Sequence, residues 1–438
     1  MAADAPGGRG EETAQALRVL VIAYKFPDVI LPGGSTRIEK LLKYLPPPWS
    51  PVVLSVQVPD ESLVEDVHRG PQVHRTGSHY GAFVRAYRSV NLGRAGVLRR
   101  WGIHTVRVLK NLLLVPDDAV LWWPRAYPEA LRLAHRYQAQ AVLVSGPPFS
   151  GLVLGASVGR AARLPFVADL RDDWAGNALA GRRNPVQALT EFPLERWTLR
   201  RAARIIHVTE ASLDLYRRRY PEIAERMALV RNGYDEEDFA GTSVQPKVPG
   251  SLWLLHAGTL KDGRDPSPVF EAMALLARQE PKYRTLRLTQ VGATHQEILD
   301  RAERLDLAHQ TEWIERVPRA RVAALLGKAD ALLLLPTPEA PTAIPGKAYE
   351  YLRAGRPLLV VSDENETTQF LRGFSGVAVR SPEDVAGIAG VLSEWFEAAE
   401  IPTGDPAAAL PYSRRAQAGE LAALLDEVRR EKIRAETL

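Results

Sequence analysis

The chain contains no cysteine. That excludes disulfides, thiolate metal sites and cysteine nucleophiles, and fits a reducing cytosol. No apolar run approaches the roughly 18–20 residues of a membrane span. Residues 1–16 are rich in Gly, Ala and Glu without an apolar h-region, which predicts a disordered leader and not a signal peptide. Charge of one sign is not in large excess: 56 Lys and Arg against 52 Asp and Glu leave +4, too little to argue a nucleic-acid partner. No GxGxxG opens the first strand–helix unit and no acidic residue marks a dinucleotide ribose, so the fingerprint of a nicotinamide oxidoreductase is missing. No Asp-x-Asp metal signature stands out, and neither metal nor cofactor is expected; Asp172-Asp173 is adjacent and reads as a strand-end turn. No internal repeat or long low-complexity tract is visible.

What is present is an ordinary globular composition, 46% hydrophobic and 25% charged over 438 residues, enough for two or three domains with ample core. Short apolar runs without polar alternation predict strands buried on both faces at 18–24, 52–56, 141–145, 166–170, 204–209, 252–257, 286–291, 331–335 and 358–361. Helical spacing separates them, as at Ile38, Leu41, Leu42 and Leu45. The pattern is α/β, two doubly wound domains. We divide the chain into a leader (1–16), a first domain (17–238), a linker (239–250), a second domain (251–405) and a terminal segment (406–438). The last segment carries a breaker-rich loop at 402–411 and a helix over 413–430, after a helix over 383–398.

The most informative stretch is 331–361. An apolar strand is followed by a loop with three prolines, and Pro345 then opens a helix where its missing N–H costs nothing. Gly346 lets a ligand approach the backbone. Lys347 and Glu350 are three residues apart and share a helix face. Free N–H groups, a helix dipole and a lysine make an anion site; a carboxylate one turn on can accept hydrogen bonds from sugar hydroxyls. The alternative is a structural strand–helix unit of the kind every doubly wound domain contains. The diglycine Gly33-Gly34 precedes the first helix and reads either as a plain turn or as a close backbone approach to phosphate or sugar. Asp169, Arg171 and Asp172 stand at the carboxyl end of the 166–170 strand, the edge where open α/β sheets bind ligands. Residues 84–114 interleave Arg85, Arg88, Arg94, Arg99, Arg100, Arg107 and Lys110 with Val97, Leu98, Trp101, Ile103, Val106 and Leu109. They read either as a helical pair with a solvated basic face or as a stretch lying on the anionic inner face of a membrane.

Taken in order, VIAYKFPDVILPGGSTR, LVSGPPFSG, FVADLRDDW, LERWTLRRAARIIHVTEA, VRNGYDEEDF, LLHAGTLKDGRDP and IPGKAYEYLRAGRP resemble a GT-B-fold glycosyltransferase of family 4, in the bacterial polysaccharide or natural-product subgroup. The resemblance runs over about 18–430. It implies two Rossmann-like domains facing each other across a cleft, the donor on the second and the acceptor on the first, with the last helix crossing back. It implies a retaining, metal-independent transfer of sugar from an NDP-sugar to a hydroxyl of a glycan, a lipid-linked or a small-molecule acceptor. Carried over by position, Glu350 would bind the donor ribose and Lys347, with the N–H groups around Ile344, Pro345 and Gly346, the diphosphate. Arg264 would neutralise the leaving group, Gly258 and Thr259 would line the same wall, and Val317 would touch the base. Gly34, beside Gly33, would face the diphosphate from the first domain. Two positions depart from the family. Thr342 stands where many members have a glutamate near the donor sugar, so Glu339 becomes its candidate substitute. The histidine that many members carry after the strand ending in SGPPFS is missing, which leaves Asp172 as the candidate to orient the acceptor hydroxyl or accept its proton. His207 and His256 read as core histidines. The competing functions are an epimerase or phosphorylase on the same fold, and a non-catalytic nucleotide- or carbohydrate-binding partner.

Overall fold

The computed structural model describes residues 16–26, 36–57, 71–78, 114–176, 185–242, 245–261 and 263–437. The diglycine 33–34 and nearly all of the basic 84–114 stretch lie outside them. Among the described residues the first sheet has β1 (Leu17–Ile22), β2 (Trp49–Gln57), β3 (Gln72–Gly77), β4 (Ala141–Gly146), β5 (Phe166–Leu170), β6 (Arg204–His207) and β7 (Met227–Leu229). Their order is β3-β2-β1-β4-β5-β6-β7, and the pairings are parallel. The second sheet has β8 (Leu252–Ala257), β9 (Leu286–Val291), β10 (Thr311–Ile314), β11 (Ala331–Leu334), β12 (Leu358–Val361) and β13 (Val377–Arg380), ordered β10-β9-β8-β11-β12-β13 and again parallel. Strands such as β4, β5, β11 and β12 are buried along their whole length, because helices cover both faces of each sheet.

The chain order reverses between β1 and β4 in one sheet and between β8 and β11 in the other. In open α/β sheets a crevice opens at such a switch point, outside the carboxyl ends of the strands. Gly258 follows β8, and the loop 335–345 follows β11, so both line that crevice in the second domain.

Three local differences from the sequence reading have simple causes. Four strands lie outside the predicted runs: β3 and β10 are largely polar, and β7 and β13 are apolar but only three and four residues long. Residues 236–239, next to the predicted linker, form a 3-10 turn capped by the Asp235 carboxylate, which accepts from the Glu237 N–H. The breaker-rich loop holds a 3-10 helix, Pro406–Tyr412, capped by Asp405, with proline in its first turn where no N–H is lost.

The helix Arg414–Thr437 is longer than its apolar spacing suggests. Its buried residues Leu421, Leu425 and Val428 pack with Val19, Val21, Leu41 and Leu143 of the first domain. Each such side chain contributes about 2 kcal/mol of burial. Its entry is fixed by a bridge between Tyr234 and Ser413. There the backbones come so close that a Cβ on Gly233 would lie 1.8 Å from the Tyr412 carbonyl oxygen.

Candidate active site

The pocket is built on the carboxyl end of β8. Strand alternation places His256 and Gly258 on one face, and the helix Gly346–Ala354 lies against it. Lys347 Nζ comes 3.4 Å from His256 Nε2. Gly258 has φ +148°, and a Cβ there would fall 2.1 Å from Lys347 Nζ. A side chain at 258 would displace the ammonium, so glycine is required both for conformation and for space. The Gly258 carbonyl accepts from the Gln290 amide at 2.6 Å, which fixes the wall. Pro345 precedes the helix in extended conformation, and Gly346 is exposed with open space around it. The first N–H groups of the helix therefore point into the crevice.

Charge in the pocket is concentrated. Burial pushes the Lys347 ammonium down to about 7, the nearby Arg264 lowers it further and Glu350 opposes both. Burial pushes the Glu350 carboxyl up, while Arg319 draws it back; Arg319 NH1 sits 3.4 Å from Glu350 Oε1. Both Lys347 and Glu350 keep part of their surface open. Groups deep in a crevice yet still reachable are what a bound ligand needs. Arg264 reaches the pocket from the loop after β8. In that loop a Cβ on Gly263 would meet the Glu339 carboxylate at 2.8 Å, which places Glu339 over the loop that carries Arg264. Thr259 is half-buried, Ile344 is buried, and Val317 packs on the cluster containing Ile344 and Tyr349.

The first domain reaches into the same region. Thr342 does not stand free: its Oγ1 donates to Asp173 Oδ2 at 3.0 Å, and its carbonyl accepts from Thr209 Oγ1 at 2.7 Å. Ser212 Oγ donates to the other Asp173 oxygen at 2.6 Å. A second crossing runs from the Glu210 N–H to Glu366 Oε1 at 3.0 Å. The loop after β5 is thus drawn against the loop after β11. Its other side is fixed too: the Trp174 N–H donates to the Tyr216 hydroxyl, and the Ala175 N–H to the buried Glu195 carboxylate at 2.7 Å. Trp174 also stacks on Phe149, with centroids 5.0 Å apart. Asp172 presents its surface to solvent on this loop, and the protein around the carboxyl displaces enough water to push its pKa up, Arg171 drawing it back and Asp173 adding to the rise.

Asp169 is placed differently from the sequence expectation. It is buried and accepts from Arg37 Nε and NH2 at 3.0–3.1 Å and from Ser145 Oγ at 2.7 Å. Arg37 in turn donates to the Val230 and Arg231 carbonyls. Both Asp169 oxygens are thus engaged inside the domain, tying β5 to Arg37 and Ser145. Arg319 escaped the sequence reading, and two further pocket neighbours were read only structurally: Asp173 as a turn residue and His256 as a core histidine, which is buried as expected but also borders Lys347. Only His256 left a signal, its position two residues before Gly258 on the same strand face.

The two facing α/β domains, with a cationic pocket at the switch point of the second, define a GT-B glycosyltransferase, an enzyme that takes its glycosyl group from a sugar nucleotide. The family model described as Glycosyltransferase Family 4 matches residues 91–238, and that described as Glycosyl transferases group 1 matches residues 243–403. The chain belongs to this family, glycosyltransferase family 4, group 1. It is 24% identical to a glycogen synthase of Mycobacterium tuberculosis, over 92% of this chain and 89% of that one. Among solved structures, sucrose-phosphate synthase from Thermosynechococcus elongatus matches with TM-score 0.57 and 14% identity, over 96% of this chain and 98% of that one. Alr3699/HepE of Anabaena in complex with UDP matches with TM-score 0.57 and 13% identity, over 96% and 99%. The N-terminal domain of Candida albicans trehalose-6-phosphate phosphatase matches with TM-score 0.63 and 12% identity, over 96% and 98%. Among the described residues no helix is long and apolar enough to cross a membrane.

Proposed function

We propose that the enzyme is a retaining, metal-independent transferase that moves a sugar from a nucleoside diphosphate sugar to a hydroxyl of a glycan, lipid-linked or small-molecule acceptor. The observation that carries this reading is the convergence of Lys347, Arg264 and the amino end of the helix Gly346–Ala354, with Glu350 one turn along. A nucleoside diphosphate leaves with negative charge, and cations and N–H groups fixed where that charge develops stabilise the transition state. Such charge handling takes the place of a divalent ion. Glu350 then receives the ribose hydroxyls, with Arg319 yielding its weak contact, and Val317 lies against the base. Asp172, on the loop facing the donor loop, takes the acceptor side and orients or deprotonates its hydroxyl. The Anabaena structures with UDP and with UDP-glucose make a uridine nucleotide the first donor to try.

The test is a thermal-shift screen against UDP, GDP, ADP, TDP and CDP in EDTA. A ligand bound only by the native state stabilises it by RT ln(1 + [L]/Kd). A selective shift for one diphosphate, lost in Glu350→Ala and Lys347→Ala, is expected. No shift with any nucleotide, or a shift that appears only with added metal, overturns the reading.

A further inference from the structure

His256 is fully buried in β8, yet it is no ordinary core histidine. Its Nδ1 lies 2.8 Å from the Leu333 carbonyl oxygen of β11. A carbonyl only accepts, so Nδ1 carries the hydrogen and Nε2 is left with its lone pair. That lone pair faces Lys347 Nζ at 3.4 Å. On the strand side the ammonium is walled in by Gly258, whose carbonyl is held by Gln290. We propose that His256 is the positioning residue for Lys347: its Nε2 accepts one ammonium hydrogen and so aims the remaining two into the open crevice. This rests on reading the crevice as the sugar-nucleotide site.

The alternatives for the imidazole are narrower than they look. Burial, with Lys347 and Arg264 adding, holds its pKa well below the usual histidine range, so the ring is neutral and can only accept from the lysine. The charged groups around Lys347 are Arg264 on the loop after β8 and Glu350 on its own helix. Arg264 repels the ammonium, and the Glu350 carboxyl is itself drawn toward Arg319. Among the described residues, His256 is then the side chain hydrogen-bonded to Lys347. A buried charge keeps a fixed direction only when its hydrogens are committed, and the cost of ordering the lysine is met before the donor arrives.

The test compares wild type with His256→Leu, which removes the acceptor at similar volume, and His256→Gln, which restores one. Without any nucleotide, trace acetylation of Lys347 by acetic anhydride from pH 5.5 to 9 reports its ionisation by peptide mass spectrometry. The Leu variant should move the midpoint to lower pH, since the ammonium has lost its acceptor, and the Gln variant should bring it back toward wild type. UDP-glucose binding by calorimetry is the second readout, because its diester phosphates do not titrate in this range. The Leu variant should bind about tenfold more weakly, with the gap widening as pH rises, and the Gln variant should bind close to wild type. A merely structural histidine would weaken binding equally at every pH and leave the labelling midpoint unmoved, and that result overturns the proposal. If the midpoint moves but wild type binds no sugar nucleotide, the pairing stands and the reading of the crevice falls. If wild type binds and the midpoint is unmoved in both variants, the pairing falls alone. Should the Leu variant fail to fold, the Gln variant decides: a glutamine that binds with the wild-type pH profile supports the acceptor role, and one whose affinity falls uniformly refutes it.

Discussion

Replacing Lys347 with methionine should make the protein more stable and catalytically dead. The pocket holds the ammonium at a pKa of about 7 against 10.5 in the open chain, through burial first and Arg264 second, with Glu350 opposing. The folded state therefore binds this proton less tightly than the unfolded state. Between about pH 7 and 10.5 the unfolded chain holds the extra proton, so stability rises with pH across that window and is lowest below it. Each unit is worth about 1.4 kcal/mol, which over this shift sets a ceiling of about 5 kcal/mol. The crevice is open on one side and water screens part of this, so about 2 kcal/mol is the expected gain. Methionine suits the measurement because it is unbranched, flexible and uncharged. Urea unfolding of wild type and Lys347→Met at pH 6.5, 8 and 9.5 should show the variant more stable at pH 6.5, with the advantage shrinking toward pH 9.5. Turnover should fall by roughly a hundredfold or more, because a fixed cation that meets the leaving charge has gone. A variant less stable than wild type at pH 6.5, or a stability difference that does not change with pH, refutes the account of the pocket.

Other expectations concern how the domains are joined and held. Asp173→Ala should cut turnover about tenfold by releasing the loop after β11, and Thr342→Val added to it should cost little more, since both break the same contact; full additivity in the double-mutant cycle refutes the shared contact. Asp169→Asn leaves Arg37 buried beside a neutral amide and should cost about 3–5 kcal/mol in denaturant unfolding. Burial works against the Asp169 charge, but Arg37 and Ser145 hold its pKa below the usual carboxylate value of 3.8. Its contribution is thus complete above pH 4 and is lost as pH falls through the lowered value, so the variant should show a flatter acid limb. Leu425→Ala should cost about 2–5 kcal/mol, read as loss of the first domain's cooperative unfolding. A loss below 1 kcal/mol would mean that the last helix is not part of that core.

The sequence was legible where the chain is dry. All the strands lying inside the two sheets were announced by apolar runs, because a strand with helices on both faces needs no polar alternation. The four missed strands, β3, β7, β10 and β13, are the four edges. Gln72–Gly77 reads QVHRTG and Thr311–Ile314 reads TEWI. An edge keeps one side wet and tolerates polar residues there, so these two sink into the surrounding loops, while β7 and β13, MAL and VAVR, are apolar but too short to stand out. The pocket divided the same way. Lys347 and Glu350 were found together because helix geometry turns a spacing of three into one face. His256 is 91 residues from Lys347, and Asp173 is 169 from Thr342. No local pattern links either pair, since each contact is made by the way elements dock.

The helix Arg414–Thr437 has a consequence for how the protein is made. Its apolar side is one of the layers covering the first sheet, over Val19, Val21 and Leu143, yet it is encoded after the whole second domain. During synthesis the first sheet leaves the ribosome with that layer missing. At about 5–20 residues per second the wait lasts roughly 10–40 s. For that interval the nascent chain presents an apolar face covered only in part, by Ile38, Leu41 and Leu42, the kind of surface that holdase chaperones recognise. The first domain, though made first, is the last to be completed.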